Sequence, residues 1–194
     1  GTYRFEHLDL HIEQLEDLTK KIFGAETYNG EPLPGAISVS DAKLIAFPVR
    51  SSCKPFVWVT CPSVLQRIER DLKLTGNYTQ SNYLTPAAEE AYVVCGQFDK
   101  NVLLEDYEVT TNNEKKIEFK GLLAKLFSKA TNLLLVNDEV YDYAVSNCIE
   151  IQTQIKINSE TGVTEDGSLR YQEVLPADCL MYSVLFYGQS RNQD

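Results

Sequence analysis

Residues Ile149–Gly188 read IEIQTQIKINSETGVTEDGSLRYQEVLPADCLMYSVLFYG. Ile149, Ile151, Ile155 and Ile157 alternate with Glu150, Gln152, Gln154 and Lys156, with Thr153 between. That period of two predicts a strand with one wet and one apolar face. A polar run follows, with Gly162 and then Asp166-Gly167, both good reversal signals. A second strand is predicted over Ser168–Leu175, carrying Arg170, Tyr171 and Gln172, and Pro176 stops it because proline has no N–H for a ladder. The apolar run Cys179–Tyr187 predicts a final, buried strand. Together these make a long hairpin with a polar tip that leaves a sheet and returns into it. A globular core has no use for such an arm, so the arm is expected to touch something else.

Upstream, helical and extended signals interleave. Phe5, Leu8, Ile12, Leu15, Leu18 and Ile22 follow helical spacing, and Gly24 suits the residue just past a helix end. Gly30, Pro32, Pro34 and Gly35 predict an irregular, exposed loop over 25–35. Ser38–Val49 and Phe56–Thr60 read as extended. Pro62 opens a helix over Ser63–Leu72 with Val64, Leu65, Ile68 and Leu72 inward. A polar loop over Thr75–Thr85, a strand over Asn101–Val109, a turn at Asn112-Asn113 and an amphipathic helix over Ile117–Leu126 come next. A short buried strand, Leu133–Val136, then precedes a helix over Asp138–Asn147 capped by Asn137, its acidic first turn favoured by the helix dipole. The simplest class is α+β, an antiparallel sheet packed by helices on one side.

Composition narrows the function classes. The chain has 194 residues, enough for one domain with a real core, and 43% hydrophobic against 24% charged residues is ordinary for a globular protein. No apolar run reaches about 18 residues and GTYRFEHLDL carries no apolar signal core, so no membrane partner and a cytoplasmic location are expected. Cys53, Cys61, Cys95, Cys148 and Cys179 form no C-x-x-C pair and read as free thiols in a reducing compartment. His7 and His11 have the i,i+4 spacing of a metal pair but no H-E-x-x-H frame, which favours a surface or groove role and leaves no metal site assigned. Nor is a catalytic constellation readable: there is no G-x-S-x-G, no P-loop and no cysteine with a matched histidine.

Three ordered blocks carry a family resemblance. The pattern I-x-I-N-x-E-T-G-x-x-x-x-G-x-L-x-Y-x-E-x-x-P over Ile155–Pro176, followed by a strand with Tyr182-Ser183, resembles the repeated backbone subunit of type III-B (Cmr) CRISPR effector complexes, within the repeat-associated (RAMP) superfamily of RNA-binding proteins. Ile37–Leu72 is similar to that family's S-x-S-D-A-[KR], F-P-V-R-S and W-V-T-C-P segments, and Ile22-Phe23-Gly24 to its helix end. The resemblance implies a single domain over 1–194: a ferredoxin-like, RNA-recognition-like palm with a helical insertion at about 62–147 and a protruding β-hairpin thumb at about 155–175. The implied partners are CRISPR guide RNA, target RNA, other copies of the chain and other Cmr-type subunits. The complete protein would be an endoribonuclease that cuts target RNA at regular intervals. It would use a divalent metal (Mg or Mn) and attack by the ribose 2′-OH beside a flipped nucleotide. The chain is expected to be a central portion of that family's sequence, without its N-terminal catalytic loop and C-terminal Gly-rich segment. Asp9 in HLDLHIEQ only faintly resembles the family's D-x-P-I-Q loop, and the helical period through it argues against a catalytic role.

The formal charge of −10 opposes RNA binding, which normally draws on a basic stripe. The acid falls largely in Glu13–Glu31, Glu89–Glu118 and Asp138–Glu150, while Lys43, Arg50, Lys54, Arg67, Arg70 and Lys73 cluster in the second block. Arg50 and Ser51 read either as a surface arginine with a turn serine or, on the resemblance, as contacts to guide-RNA phosphate. Lys156, Asn158, Thr161, Arg170 and Tyr171 on the arm serve no core, which leaves RNA or a neighbouring subunit, with Tyr171 able to stack or wedge. Asp41 fits a structural role, and Trp58 fits core packing better than base stacking. A non-catalytic RNA-binding or assembly module is the alternative to a nuclease backbone, with an acidic interaction domain the weaker third possibility.

Overall fold

The structure, a computed structural model, describes residues 12–28, 31–76, 85–113 and 117–189. His7, Asp9, His11, the first turns of the expected N-terminal helix and most of the polar 75–85 loop lie outside these residues. The chain divides into two compact units, a smaller one from the described residues of 1–42 and 183–194 and a larger one, Lys43–Tyr182.

In the smaller unit, α1 (Ile12–Phe23) ends where expected, at Gly24, whose φ of 88° suits only glycine at low cost. The segment expected to be an irregular loop forms an antiparallel hairpin instead, β1 (Gly24–Tyr28) with β2 (Glu31–Pro34). Pro32 and Pro34 are tolerated because this ladder has only two strands, leaving an edge that needs no N–H. Gly35 then passes against α1, where a Cβ would lie 2.6 Å from the Phe23 carbonyl carbon. β3 (Ile37–Val39) follows.

In the larger unit, runs of aliphatic and β-branched residues make strands that are covered on both faces at the centre (β5 and β9 are buried throughout) and on one face toward the edge, where β7 alternates exposed and buried. They are β4 (Lys43–Val49), β5 (Val57–Thr60), β6 (Glu90–Cys95), β7 (Asn101–Leu104), β8 (Tyr107–Asn112), β9 (Leu133–Leu135) and β12 (Leu180–Tyr182), ordered β12-β4-β5-β9-β6-β8-β7. Phe47, Val59, Leu134 and Val93 stand in register across β4, β5, β9 and β6, each fully buried. Each such side chain contributes roughly 1.5–3 kcal/mol by leaving water. Around this sheet lie α2 (Pro62–Lys73), α3 (Gly121–Leu126) and α4 (Asp138–Asn147); α2 and α4 both contact β4. The expected cap of α4 is present, with Val140 N donating to Asn137 Oδ1 at 2.9 Å.

Five expectations are corrected. The sheet is mixed, not antiparallel, because β5 runs parallel to β9 and β6 parallel to β8. The stretch 62–147 is more than a helical insertion, since it supplies β6 to β9 as well as three helices. Asn101–Val109 is two strands around a turn at Glu105-Asp106. The helix expected from Ile117 starts only at Gly121, whose φ is 59°, because Ile117 N bonds instead to Val93 O at 3.0 Å. The final strand is neither single nor buried. β12 lies at the edge of the main sheet, while β13 (Leu185–Tyr187) leaves it to pair with β3 in a two-stranded ladder, where Phe186 and Tyr187 are 50% and 75% exposed.

The main sheet also curls. Beyond Val49 the chain continues along the end of β7, through a bridge between Ser51 and Leu104 and bonds from Glu105 N to Arg50 O (2.9 Å) and Ser52 N to Leu103 O (3.0 Å). The β7 edge is thereby partly paired, which places the β7–β8 turn beside Arg50.

Candidate nucleic-acid interface

Arg50 emerges just past β4, after five buried residues, Ile45–Val49, and its side chain is 81% exposed. Its guanidinium grips Glu105, with Nε 3.0 Å from Oε2 and Nη2 2.5 Å from Oε1. Glu105 holds a left-handed backbone, φ 53°, in the β7–β8 turn. Ser51 Oγ accepts from Lys54 N at 3.1 Å and donates to Lys54 O at 3.2 Å. Two hollows meet at Arg50. The smaller, about 280 Å³, includes Ser52, Leu103 and Glu105. The larger, about 540 Å³, runs between Phe56 and the root of the arm, where Glu150, Ile151, Pro176 and Asp178 line it. Asp178 is the second non-glycine residue with a left-handed backbone, φ 67°, and its carbonyl accepts the Trp58 indole N–H at 2.8 Å. Trp58 is thus a core residue, 9% exposed and edge-on to Phe56. Asp41 is exposed, and its carbonyl accepts the Ser40 hydroxyl at 3.1 Å.

The arm is an antiparallel pair, β10 (Glu150–Gln154) and β11 (Arg170–Val174), in register from Glu150 opposite Val174 to Gln154 opposite Arg170. Thr153 stands opposite Tyr171, so Tyr171 shares a face with Ile151, while Arg170 shares the other with Gln152 and Gln172. The expected apolar face exists and is exposed: Ile151 is 66% and Tyr171 70% exposed. Toward the tip, Lys156 Nζ pairs with Glu165 Oε2 at 2.9 Å. Asn158 Oδ1 accepts from Glu160 N and Thr161 N at 2.9 and 3.1 Å, and Thr161 Oγ1 accepts from Val163 N at 3.4 Å. The polar atoms of Asn158 and Thr161 therefore build the turn. The structure brings Arg50 and Ser51 together near the arm's root and sets Lys156, Asn158 and Thr161 at its far end.

Part of the basic cluster is engaged within the fold, although Arg70 stays 72% exposed. Lys43 Nζ lies 2.5 Å from Asp71 Oδ2, the Tyr182 hydroxyl donates to the same oxygen at 2.8 Å, and Arg70 Nε lies 3.6 Å from Oδ1. Asp71 is only 6% exposed. The Lys43 ammonium holds its carboxyl below the usual carboxylate range, and burial together with the bond to Asp71 pushes the Tyr182 hydroxyl up to about 12. Arg67 donates to the Leu44 carbonyl. All five cysteines are free; burial pushes the Cys61 thiol up to about 12. Among the described residues no group of three or more His, Cys, Asp or Glu is placed to hold a metal ion. Among the described residues, likewise, no helix is long and apolar enough to cross a membrane.

Glu105, Phe56, Glu150 and Asp178 carry no local signal that joins them to Arg50. Only the E-D pair between the alternations of Val102, Leu104 and Tyr107, Val109 could have revealed the turn that delivers Glu105.

The RAMP superfamily pattern matches residues 2–193. The chain belongs to the RAMP superfamily. This RAMP chain is 35% identical over 185 residues to the CRISPR system Cmr endoribonuclease Cmr4 of Pyrococcus furiosus, a match that covers 88% of the chain and 61% of that protein. The chain thus spans about three-fifths of its curated relative. Oligomeric Cmr4 from Pyrococcus furiosus has the same fold, with a TM-score of 0.59 at 25% identity over 94% of this chain and 66% of that one. A chain of the type III-B Cmr-beta complex bound to cognate target RNA superposes with a TM-score of 0.69 at 18% identity, over 93% and 66% of the two chains, a likeness of fold alone. The resemblance to type III-B Cmr subunits carried by the three sequence blocks is borne out.

Proposed function

We propose that this RAMP chain is the guide-RNA-binding core of a repeated backbone subunit in a type III-B CRISPR effector complex, whose complete form cuts target RNA at regular intervals. The larger unit serves as a ferredoxin-like palm and the arm as its thumb. Arg50 meets a backbone phosphate near the arm's root, and Arg170, Tyr171 and the Lys156–Thr161 tip reach the paired RNA strands. What supports this is the arm itself: a ladder from Glu150 to Val174 with one apolar and one polar face, exposed at Ile151 and Tyr171 and rooted beside an exposed arginine. The arm's part in cleavage is to distort the RNA backbone until a nucleotide leaves the stack. For cleavage the complete complex would use a divalent metal, Mg or Mn; among the described residues no group of three or more His, Cys, Asp or Glu is placed to hold it.

One observation favours a second role for the arm. Its bare Ile151 and Tyr171 face suits a neighbouring subunit as well as RNA, which would make the chain an assembly module. Arg50→Ala tests the RNA role, because it removes one surface ion pair worth at most about 1 kcal/mol to the fold. Loss of a charge-assisted phosphate contact should weaken RNA binding by roughly 1–3 kcal/mol. It should also lower the salt slope by about one counterion. Filter binding across a salt series reads both, and unchanged affinity and slope would return Arg50 to a purely structural role.

A further inference from the structure

The Arg50 guanidinium gives one edge to Glu105 and keeps the other. The carboxylate occupies Nε and Nη2, at 3.0 and 2.5 Å, which leaves Nη1 and the outer side of Nη2 open. Exposure divides the pair unequally: the Glu105 side chain is 22% exposed and that of Arg50 81%. The acid is the anchored member. Its N–H donates to the Arg50 carbonyl at 2.9 Å, and its φ of 53° is a strained choice for a residue with a side chain. We propose that Glu105 is a positioning residue, which holds Arg50 with its outer guanidinium edge presented to an RNA phosphodiester. The inference rests on the assignment of Arg50 to the RNA interface.

The physical reason is pre-organisation. A free surface arginine loses rotamer freedom when it clasps a phosphate, whereas one already clamped has lost it on folding. The fork geometry permits both contacts at once, since an arginine offers five N–H donors in one plane. Glu105 also repels phosphate through space, an effect of opposite sign. That repulsion fades with salt, as the screening length falls from about 8 Å at physiological ionic strength to about 3 Å at 1 M. The clamp is itself a surface ion pair and weakens with salt as well, so the sign separates the two effects: loss of the clamp weakens binding, whereas loss of the repulsion tightens it.

A double-mutant cycle with Glu105→Gln and Arg50→Ala on the full chain separates the two effects, read by anisotropy of a fluorescein-labelled single-stranded RNA at low and high salt. Glu105→Gln should weaken binding about two- to tenfold more when Arg50 is present than in the Arg50→Ala background, the cost of freezing one long side chain. In the Arg50→Ala background only the repulsion remains, so there Glu105→Gln should leave binding unchanged or tighten it. Glu105→Gly, which relieves the left-handed backbone and so keeps the turn, should behave like Glu105→Gln. Equal effects of Glu105→Gln in both backgrounds, or tighter binding by Glu105→Gln with Arg50 present, would overturn the positioning role. If Arg50→Ala alone leaves RNA binding unchanged, the interface assignment fails and the inference falls with it, a result distinct from the other two.

Discussion

Asp71→Asn isolates the buried charge that ties β4, α2 and β12 together. Asp71 is 6% exposed and receives Lys43 at 2.5 Å and the Tyr182 hydroxyl at 2.8 Å. The asparagine oxygen can still accept from Tyr182, but Lys43 loses its counter-charge. A bond to a charged group contributes about 1.5–3 kcal/mol. The Lys43 side chain is 31% exposed and can turn to water, which keeps the expected loss near the middle of that range, about 2 kcal/mol. For a chain of this size that is a fall in Tm of about 4–8 °C. The pH dependence fixes the cause. The folded-state carboxyl titrates below its ordinary value of 3.8, so the unfolded chain binds more protons at Asp71 than the folded one does around and below that value. Its stabilisation is therefore complete above about pH 4–5 and disappears as pH falls through the folded value. Thermal unfolding followed by circular dichroism from pH 7 down to pH 3 should show the gap between wild type and Asp71→Asn narrowing. A gap that stays constant across that range, or none at pH 7, would refute the account of a charge-based clasp.

Trimming Ser159–Gly167 to a two-residue turn should leave Tm within about 2 °C, since those residues bond only to one another and to the flanking Lys156, Asn158 and Ser168 and bury almost nothing. In a complete subunit it should abolish the regular distortion of target RNA, read by 2-aminopurine fluorescence and a cleavage ladder; an unchanged ladder would make the arm only a subunit contact. Cys61, 2% exposed and with its thiol pushed up to about 12 by burial, should stay unlabelled by a thiol reagent at pH 8 until denaturant opens the core. Rapid native labelling of a Cys61-only variant would contradict its burial.

The parts of the fold legible in the sequence are those whose signals are local. Asn137 caps its helix, Gly24 ends another, Pro62 starts a third, and the period of two in Glu150–Gln154 makes a strand. What escaped depends on distant pairing. The sequence reading assigns no element to Glu90–Cys95, because AYVVC has no alternation; its strand character comes from β9 on one side and β8 on the other. Parallel pairing of β5 with β9 joins residues more than 70 positions apart. The bare apolar face of β10 and β11 shows the limit of periodicity, which predicts that one face is apolar but not whether this chain covers it.

Electrostatics at the interface follow the same rule. Six basic residues between Lys43 and Lys73 look like a stripe able to offset a formal charge of −10. Folding gives Lys43 to Asp71, Arg67 to a backbone carbonyl and one edge of Arg50 to Glu105, contacts 28, 23 and 55 positions apart. Attraction to phosphate on this face therefore depends on individual exposed donors rather than on a continuous field. Such donors add affinity only where the partner's phosphates meet them in register. On the proposed RNA interface the arm beside Arg50 would supply that register, because a ladder fixes the spacing of the side chains it carries. This is how an acidic chain can favour an RNA already shaped to fit over bulk polyanion.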